Sequence, residues 1–401
     1  MTPSATPEVR VAIACGGTGG HLFPGLAVAE QLVRRGCAVT LLVSPKEVDQ
    51  EAVKAAVGME VVTLPAVGLQ RGGKFAFLRG FCRSYWAARK LFRSRPPRVA
   101  LAMGGFTSAP PVLAARAFGA RTFLHESNAI PGRANRWLSR VVDRAFVGFP
   151  SAAARLHTPN VVVTGTPIRS KIQPASVAAS RAALGLDPAS PVMAVMVGSQ
   201  GASGINEMVL ASLPLLAESL PSLQWFHLSG PADFEKVKQA YAALAVKAVV
   251  HPFFAGMELV LASASAVISR AGASSLAEFA ALRLPAILVP YPFATDNHQL
   301  LNAKAFADTG AALLLPQSSF TPQSLVGLIR DVVDNPSVRE KLRHGLEHWH
   351  CPDAASEIAD ELLHAANAGS ASRRDRKESN AGAAVDQDTN ARLYEPVPRA
   401  Q

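Results

Sequence analysis

Short apolar runs recur along the chain, each followed by a turn and a longer segment with apolar residues at helical spacing. "VRVAIAC" (9–15) leads into a helix from about Pro24 to Arg35, and "CAVTLLVS" (37–44) reads as a second strand. "RVALAMGG" (98–105), "ARTFLHE" (120–126), "RAFVGFP" (144–150) and "NVVVTGTPI" (160–168) continue the series. After "KIQPAS" the pattern restarts with "PVMAVMVGSQG" (191–201), "LQWFHLSG" (223–230), "KAVVHPF" (247–253), "ASAVISRAG" (264–272) and "PAILVPYP" (285–292). Alternating strands and helices imply parallel sheets joined by right-handed crossovers. The expected class is therefore α/β, with two doubly wound domains and a cleft between them. In such sheets ligands sit beyond the carboxyl ends of the strands, where the glycine turns of this chain fall. "PDAASEIADELLHAANA" (352–368) reads as a last amphipathic helix, and the polar stretch from Gly369 as a disordered tail.

The length of 401 residues fits this division, at roughly 150 residues per domain. A 49% hydrophobic content with only 17% charged residues allows a sizeable core. The net charge of +10 suits nucleic acid, an anionic membrane or phosphorylated substrates. No aromatic–basic motif of a nucleic-acid module is present, so no nucleic-acid partner is expected. The four cysteines share no metal-ligand or redox spacing and read as reduced, mostly packed thiols of a cytoplasmic protein. "MTPSATPEVR" has no apolar centre and predicts no signal peptide. No apolar run reaches the roughly 18 residues of a spanning helix, so the protein is expected to be soluble or peripheral.

The first glycine turn, "GGTGGH" (16–21), decides what kind of phosphate is at stake. A dinucleotide fingerprint needs G-x-G-x-x-G and an acidic residue at the end of the second strand. Here the third glycine position is Leu22, and the second strand ends in Val43-Ser44-Pro45. A P-loop needs Gly-Lys followed by Ser or Thr, and "GGKF" (72–75) fails at its last position. Nicotinamide, flavin and triphosphate-motor readings are thereby disfavoured. The turn still offers close backbone approach and free N–H groups at a helix start, which attract anions.

Similar turns follow at "MGGFTSAPP" (103–111) and "VGSQGASGINE" (197–207), where Ser199, Gln200 and Gly201 offer hydroxyl, amide and N–H groups. In "RAGASSLAEFAAL" (270–282), Ser275-x-x-Glu278 has the form of a capping box, while Glu278 equally suits ribose hydroxyls beside a diphosphate. "VPYPFATDNHQLLNA" (289–303) gathers Asp296, Asn297, His298, Gln299 and Asn302, groups suited to sugar hydroxyls. His125, Glu126 and Asn128 lie just beyond a strand, and Ala129 breaks the H-E-x-x-H zinc pattern.

Taken together, "GGTGGHLFPGLAVAEQL", "MGGFTSAPPVLAA", "HESNAIPGRANRWL", "GTPIR", "GSQGASGINE", "SRAGASSLAEFAALRLPAILVPYPFATDNHQLLNA" and "GAALLL" closely resemble the MurG family of glycosyltransferases. The resemblance runs from about residue 10 to 345. It implies a GT-B fold of two Rossmann-like domains: an acceptor and membrane-side domain (1–165) and a UDP-GlcNAc-binding domain (166–345). A helix (346–368) would return to the first domain, ahead of the tail (369–401). It implies transfer of N-acetylglucosamine from UDP-GlcNAc to lipid I, with inversion, giving lipid II for peptidoglycan. Thr18, Gly19 and Gly20 then belong near the diphosphate and sugar, and Asn128, Arg169 and Ser199 resemble donor contacts. Phe254 matches a position whose backbone holds uracil. Ala273, Ser274, Ser275, Leu276, Ala277 and Glu278 resemble the helix start that binds UDP, with Glu278 on the ribose, and Gln299 resembles a GlcNAc contact. Two features depart from the family pattern: Val197 stands where a glycine is common, and the tail is additional. Another UDP-sugar enzyme of this fold, such as a glycolipid synthase or a UDP-GlcNAc 2-epimerase, is one rival. A non-catalytic, nucleotide-binding membrane-surface protein is the other.

The chemistry needs no cofactor and no metal, since helix N-termini aimed at the leaving diphosphate can stabilise its growing charge. His21 is the first candidate for the general base, with His125 and Glu126 as rivals. "RGGKFAFLRGFCRSYWAARKLFRSRPPR" (71–98) carries nine basic residues and no acidic one. Its amphipathic spacing predicts contact with an anionic membrane through Phe75, Leu78, Arg79, Phe81, Arg83, Trp86, Arg89 and Lys90. The expected place is the cytoplasmic face of a bacterial membrane, with cell-wall and division proteins as further partners.

Overall fold

The structure is a computed structural model that describes residues 9–46, 49–50, 53, 56–65, 73–197 and 203–368. Ser199, with Gln200 and Gly201, and the expected tail at 369–401 lie outside the described residues.

The first half of the chain runs β1 (Arg10–Ala14), α1 (Gly19–Arg34), β2 (Ala38–Val43), β3 (Glu60–Thr63), α2 (Gly73–Ser94), β4 (Val99–Ala102), α3 (Ala109–Ala117), β5 (Arg121–Glu126), α4 (Arg133–Leu138), β6 (Arg144–Val147), α5 (Pro150–Ala153) and β7 (Val161–Val163). These strands form a seven-stranded sheet in the order β3-β2-β1-β4-β5-β6-β7, with every pairing parallel. The second half runs α6 (Val177–Ala183), β8 (Val192–Met196), α7 (Ser203–Ser219), β9 (Gln224–Leu228), α8 (Phe234–Ala243), β10 (Ala248–His251), α9 (Met257–Ser263), β11 (Ala266–Ser269), α10 (Ala273–Leu282), β12 (Ala286–Leu288), α11 (His298–Asp308), β13 (Leu313–Leu314), α12 (Pro322–Asp334) and α13 (Pro336–Glu347). Its six strands are ordered β10-β9-β8-β11-β12-β13, again all parallel.

Strands buried on both faces read as unbroken apolar runs, and these do. In β1, Val11 and Ile13 pack to one side with α1, while Ala12 and Ala14 pack to the other with Ala88 and Phe92 of α2 and Val112 of α3. In β8, Val192 and Ala194 face one core, and Met193 and Val195 the other. The chain returns at its end. A helix over 354–368, α14, inserts Ala355, Ile358, Ala359, Leu362 and Ala366 into the core of the first domain, beneath β1 and α1. Arg35 reaches Asp360 at 2.9 Å and Ser356 at 2.7 Å, and Arg144 pairs with Glu361.

Both sheets reverse strand order beside their first strand, between β1 and β4 and between β8 and β11. Loops diverge at such a point and open a crevice for ligands. The first and second glycine turns flank it in one domain, and the start of α10 flanks it in the other.

Candidate active site

The first loop is pressed against the end of β2. A Cβ at Gly16 would stand 2.4 Å from Ser44 N and 2.9 Å from Asp49 Oδ2, so only glycine fits. Gly17 has φ +111°, a value L side chains rarely adopt. Thr18 caps α1 in extended geometry, but its hydroxyl lies 3.1 Å from His21 Nδ1. The helix begins at Gly19 rather than near Pro24, because glycine's weak propensity masks a turn already wound. Pro24 sits inside it and has no N–H for the carbonyl of Gly20, four residues back. That carbonyl instead accepts from Ser274 Oγ of the other domain at 3.1 Å.

The second loop gives His21 its floor. Gly104 and Gly105 have φ of +104° and +76°, and a Cβ on either would stand 3.0–3.1 Å from the imidazole. Thr107 Oγ1 donates to Gly16 O at 2.6 Å, and Ser108 Oγ to Ala14 O at 3.0 Å, so the two loops are cross-braced. The enclosed imidazole is pushed down to about 4, chiefly by burial; His298 and Lys46 act in the same direction and Asp49 opposes them. It is neutral at neutral pH, and no hydrogen bond engages Nε2 among the described residues.

The rivals to His21 are committed elsewhere. His125 is fully buried, with Nε2 at 3.0 Å from Gly165 O and Nδ1 at 3.3 Å from Ser127 Oγ; burial lowers it to about 4. Glu126 Oε1 accepts from the N–H and side-chain amide of Asn128 at 2.8 and 3.0 Å. Its Oε2 accepts from Gly132 N and Asn135 Nδ2, both at 2.9 Å. Four donors saturate this buried carboxylate, whose pKa burial nonetheless raises. Its geometry is that of a brace for the loop bearing Asn128. Asn302 completes the brace from the other domain. Its side chain donates to Asn128 Oδ1 at 3.0 Å and to Ala271 O at 3.1 Å, and accepts from Ala129 N at 2.8 Å.

Across the cleft, the capping alternative at α10 is not realised. The helix starts at Ala273 behind Gly272, without a side-chain cap. Ser274, Ser275, Leu276, Ala277 and Glu278 occupy its first turns; the N–H groups of Ala273, Ser274 and Ser275 precede the first helical bond, which Leu276 N makes to Gly272 O at 3.0 Å. Glu278 points instead to Arg169, with Oε1 at 2.8 Å from Nη2 and 3.3 Å from Nε. Burial raises its pKa, and the Arg169 guanidinium works against that shift. Arg169 also lies 4.4 Å from the ring centroid of Phe23 in the first domain, so it touches both sides of the cleft. Phe254 packs edge-on against Phe226 at 5.3 Å, over the end of β10. Gln299 accepts from Tyr291 N at 3.0 Å, which fixes its amide at the start of α11.

Several of these groups carry no signature in the sequence. Asp49 is one: it lies six residues past the end of β2, beyond the strand-end position of a ribose-binding acid, and it turns back onto the first loop. Its Oδ2 accepts from Gly17 N at 2.6 Å and from Ser44 N at 3.1 Å. Phe23, Lys46 and Arg270 are others. Arg270 is buried beneath Tyr291, donates to Val289 O, Pro290 O and Gln317 Oε1, and is lowered to about 10 by burial. No group of three potential metal ligands occurs among the described residues.

On α2, Gly80, Ser84, Ala88 and Phe92 face inward at four-residue spacing. The opposite face exposes Phe75 (82%), Leu78 (59%) and Trp86 (63%), with Arg79, Cys82, Arg83, Lys90 and Arg93 around them. One residue expected on that face is not on it: Phe81 adjoins the inward stripe and packs against the core. Arg89 is half-buried on the outward side, against the rings of Trp86 and Phe118 at 5.7 and 5.3 Å. No helix among the described residues is long and apolar enough to cross a membrane.

Residues 11–147 match the glycosyltransferase family 28 N-terminal domain, and residues 192–358 match the family's C-terminal domain. A UDP-N-acetylglucosamine–N-acetylmuramyl-(pentapeptide) pyrophosphoryl-undecaprenol N-acetylglucosamine transferase from Anaeromyxobacter dehalogenans (strain 2CP-C) is 36% identical over 357 residues. That alignment covers 88% of this chain and 92% of the relative. The crystal structure of Acinetobacter baumannii MurG superposes with a TM-score of 0.70 at 28% identity, covering 89% of this chain and 99% of that one. A putative UDP-N-acetylglucosamine 2-epimerase from Listeria monocytogenes, at 12% identity and a TM-score of 0.65 over 88% of this chain and 95% of its own, shares the fold alone. The paired domains, the glycine turns at both switch points and the similarity along nearly the whole described chain agree: this chain belongs to the MurG family of GT-B glycosyltransferases, within family 28.

Proposed function

We infer that this chain is an inverting hexosyltransferase that moves N-acetylglucosamine from UDP-GlcNAc to the C4 hydroxyl of N-acetylmuramic acid in lipid I. The products are lipid II, the unit from which peptidoglycan is built, and UDP. The observation that carries the reading is the meeting of the two switch-point crevices, with Ser274 Oγ 3.1 Å from Gly20 O. One start of a helix from each domain, α1 and α10, thereby converges on one cleft.

In the reaction the acceptor oxygen forms a bond to C1 of the sugar as the bond from C1 to the diphosphate oxygen breaks. The hydroxyl proton passes to a base, and UDP leaves with the bonding electrons. Free N–H groups at the starts of α1 (Gly19, Gly20) and α10 (Ala273, Ser274, Ser275) meet the charge that grows on the diphosphate. Ser199 of the third loop joins them in this reading. His21 is the base. It is neutral at working pH, its Nδ1 is held by Thr18, and Nε2 has no hydrogen bond among the described residues. Its low basicity rises as negative charge gathers beside it in the transition state. Asn128 and Gln299 take sugar hydroxyls, Phe254 borders the uracil, and Arg169 releases Glu278 to the ribose as it turns to the donor.

The acceptor is anchored in lipid, and the outward face of α2 supplies the approach. Three exposed apolar side chains ringed by basic ones suit an anionic surface, each basic residue contributing about 1 kcal/mol near it. In this reading the protein sits peripherally on the cytoplasmic face of a bacterial membrane. Partners in cell-wall assembly and division fit such a position.

The test is transfer of radiolabel from UDP-GlcNAc to a lipid I analogue. Wild type should form labelled lipid II, and His21→Ala should lose about 100-fold or more in turnover with little change in donor affinity. No lipid product would remove the activity, and unchanged turnover in the variant would remove His21 from its role.

A further inference from the structure

Gly17 is gripped on both sides. Its N–H donates to Asp49 Oδ2 at 2.6 Å, and its carbonyl accepts from Lys46 Nζ at 2.6 Å. The two side chains come from the segment just after β2, three residues apart. Lys46 also lies 5.4 Å from the ring centroid of Phe106, the ring nearest Gly17 on its open side. Asp49 is fully buried, and its Oδ2 additionally takes the N–H and the hydroxyl of Ser44. Its other oxygen, Oδ1, is buried and without a hydrogen-bond partner among the described residues. A buried carboxylate with an idle oxygen is costly, and a neutral amide could hold the same bonds. The charge itself therefore needs an explanation.

The next residues in the chain supply one. Gly17 leads directly into Thr18, whose hydroxyl holds His21 Nδ1, so the orientation of one peptide determines where the imidazole stands. We propose that Lys46 and Asp49 are positioning residues for glycosyl transfer: together they clamp Gly17 and thereby fix Thr18 and His21 at the cleft. This rests on the reading of His21 as the base. The charged and titratable groups facing His21 are Asp49 and Lys46 behind the loop, His298 across the cleft, and His125 at the end of β5. Asp49 favours the imidazolium form of His21, and His298 and Lys46 disfavour it, while His21 in turn disfavours the charged form of His125. The clamp thus sets both position and charge environment, with its two members acting in opposite electrostatic senses.

The experiment measures transfer by the full chain from UDP-GlcNAc to a lipid I analogue across pH. The variants are Lys46→Met, Asp49→Asn and Asp49→Ala, each alone and combined with His21→Ala. Lys46→Met should lower kcat about tenfold with the KM for UDP-GlcNAc within about twofold, the signature of a misplaced group rather than lost binding. Its acid limb should move to higher pH, because His21 loses a cationic neighbour. Asp49→Asn keeps an acceptor for Gly17 and Ser44 and should move the acid limb to lower pH. Neither Lys46→Met nor Asp49→Ala should cost anything further in the His21→Ala background. A Lys46→Met protein with wild-type kcat and pH profile overturns the proposal, as does full additivity with His21→Ala. If Asp49→Ala fails to fold, Lys46→Met and Asp49→Asn decide the matter through the opposed limb shifts. If His21→Ala keeps its turnover while Lys46→Met loses it, the assignment of the base has failed; the reverse pattern rejects the clamp alone.

Discussion

Pro24 and Ser274 share a single carbonyl. Pro24 cannot donate to Gly20 O, and Ser274 Oγ, from the opposite domain, takes its place at 3.1 Å. A proline inside a helix ordinarily costs stability, but here the missing donor leaves an acceptor facing the cleft. Pro24→Ala should restore an N–H that bonds Gly20 O within α1 and competes with Ser274. The expected result is unchanged or higher thermal stability with several-fold weaker UDP-GlcNAc binding by calorimetry. Wild-type donor affinity would show that the shared carbonyl has no part in closing the cleft.

Arg169 and Glu278 form the most buried ion pair among the described residues, with side chains 20% and 9% exposed. Removing one partner strands the other. Arg169→Met should destabilise the protein by about 3 kcal/mol, seen as an earlier transition in urea. Adding Glu278→Gln should recover much of that stability while leaving donor binding poor. Recovery of both properties would argue that Glu278 serves the fold and not the ribose.

Three enclosed histidines predict loss of stability in mild acid. Burial lowers His21 and His125 to about 4 and His227 to about 3. The unfolded chain protonates them near 6.5, so below that pH it binds more protons than the folded one. Stability then falls as pH drops from about 6.5 toward 4, by up to about 1.4 kcal/mol per pH unit for each histidine. Glu126 and Glu278, whose pKa values are raised, work in the opposite direction. His227 tests the effect apart from the proposed base, since it lies in the second domain between Tyr241 and Asn206. In urea unfolding at pH 7 and pH 5, His227→Gln should narrow the gap between the two midpoints. An equal or wider gap would contradict this account.

The outward face of α2 predicts salt-sensitive membrane binding. Replacing Arg79, Arg83 and Lys90 with glutamine should abolish flotation with anionic liposomes while leaving transfer to a soluble lipid I analogue near wild type. Phe75→Ser with Trp86→Ser should weaken flotation even at low salt. Flotation unchanged in both proteins would assign the face another role.

Most of the architecture was legible because parallel strands buried on both faces leave apolar runs between glycine turns. Two strands lacked that mark. β3, "EVVT", is a half-exposed edge strand with a charge at its start, and β13 is only two residues long. In the candidate site the glycines and the polar strand ends could be read as a set, since residue type there is dictated by backbone approach. Their partners could not. The capping spacing of Ser275 and Glu278 was satisfied in the sequence, yet Glu278 turned to Arg169, 109 residues earlier. Asp49 and Asn302 act through bonds to residues 32 and 173 positions away, a separation no local pattern encodes.

The return of α14 to the first domain also bears on how the chain is made. Residues 9–163 hold every strand of the first sheet, yet the face of β1 and α1 that meets Ile358 and Leu362 stays uncovered until the last helix is available. During synthesis the whole second domain emerges in between, and domains generally fold as units as they appear. The first domain must therefore wait with an open apolar face, and a chain stalled between residues 347 and 368 carries an unfinished first domain beside a second domain whose strands and helices have all been made.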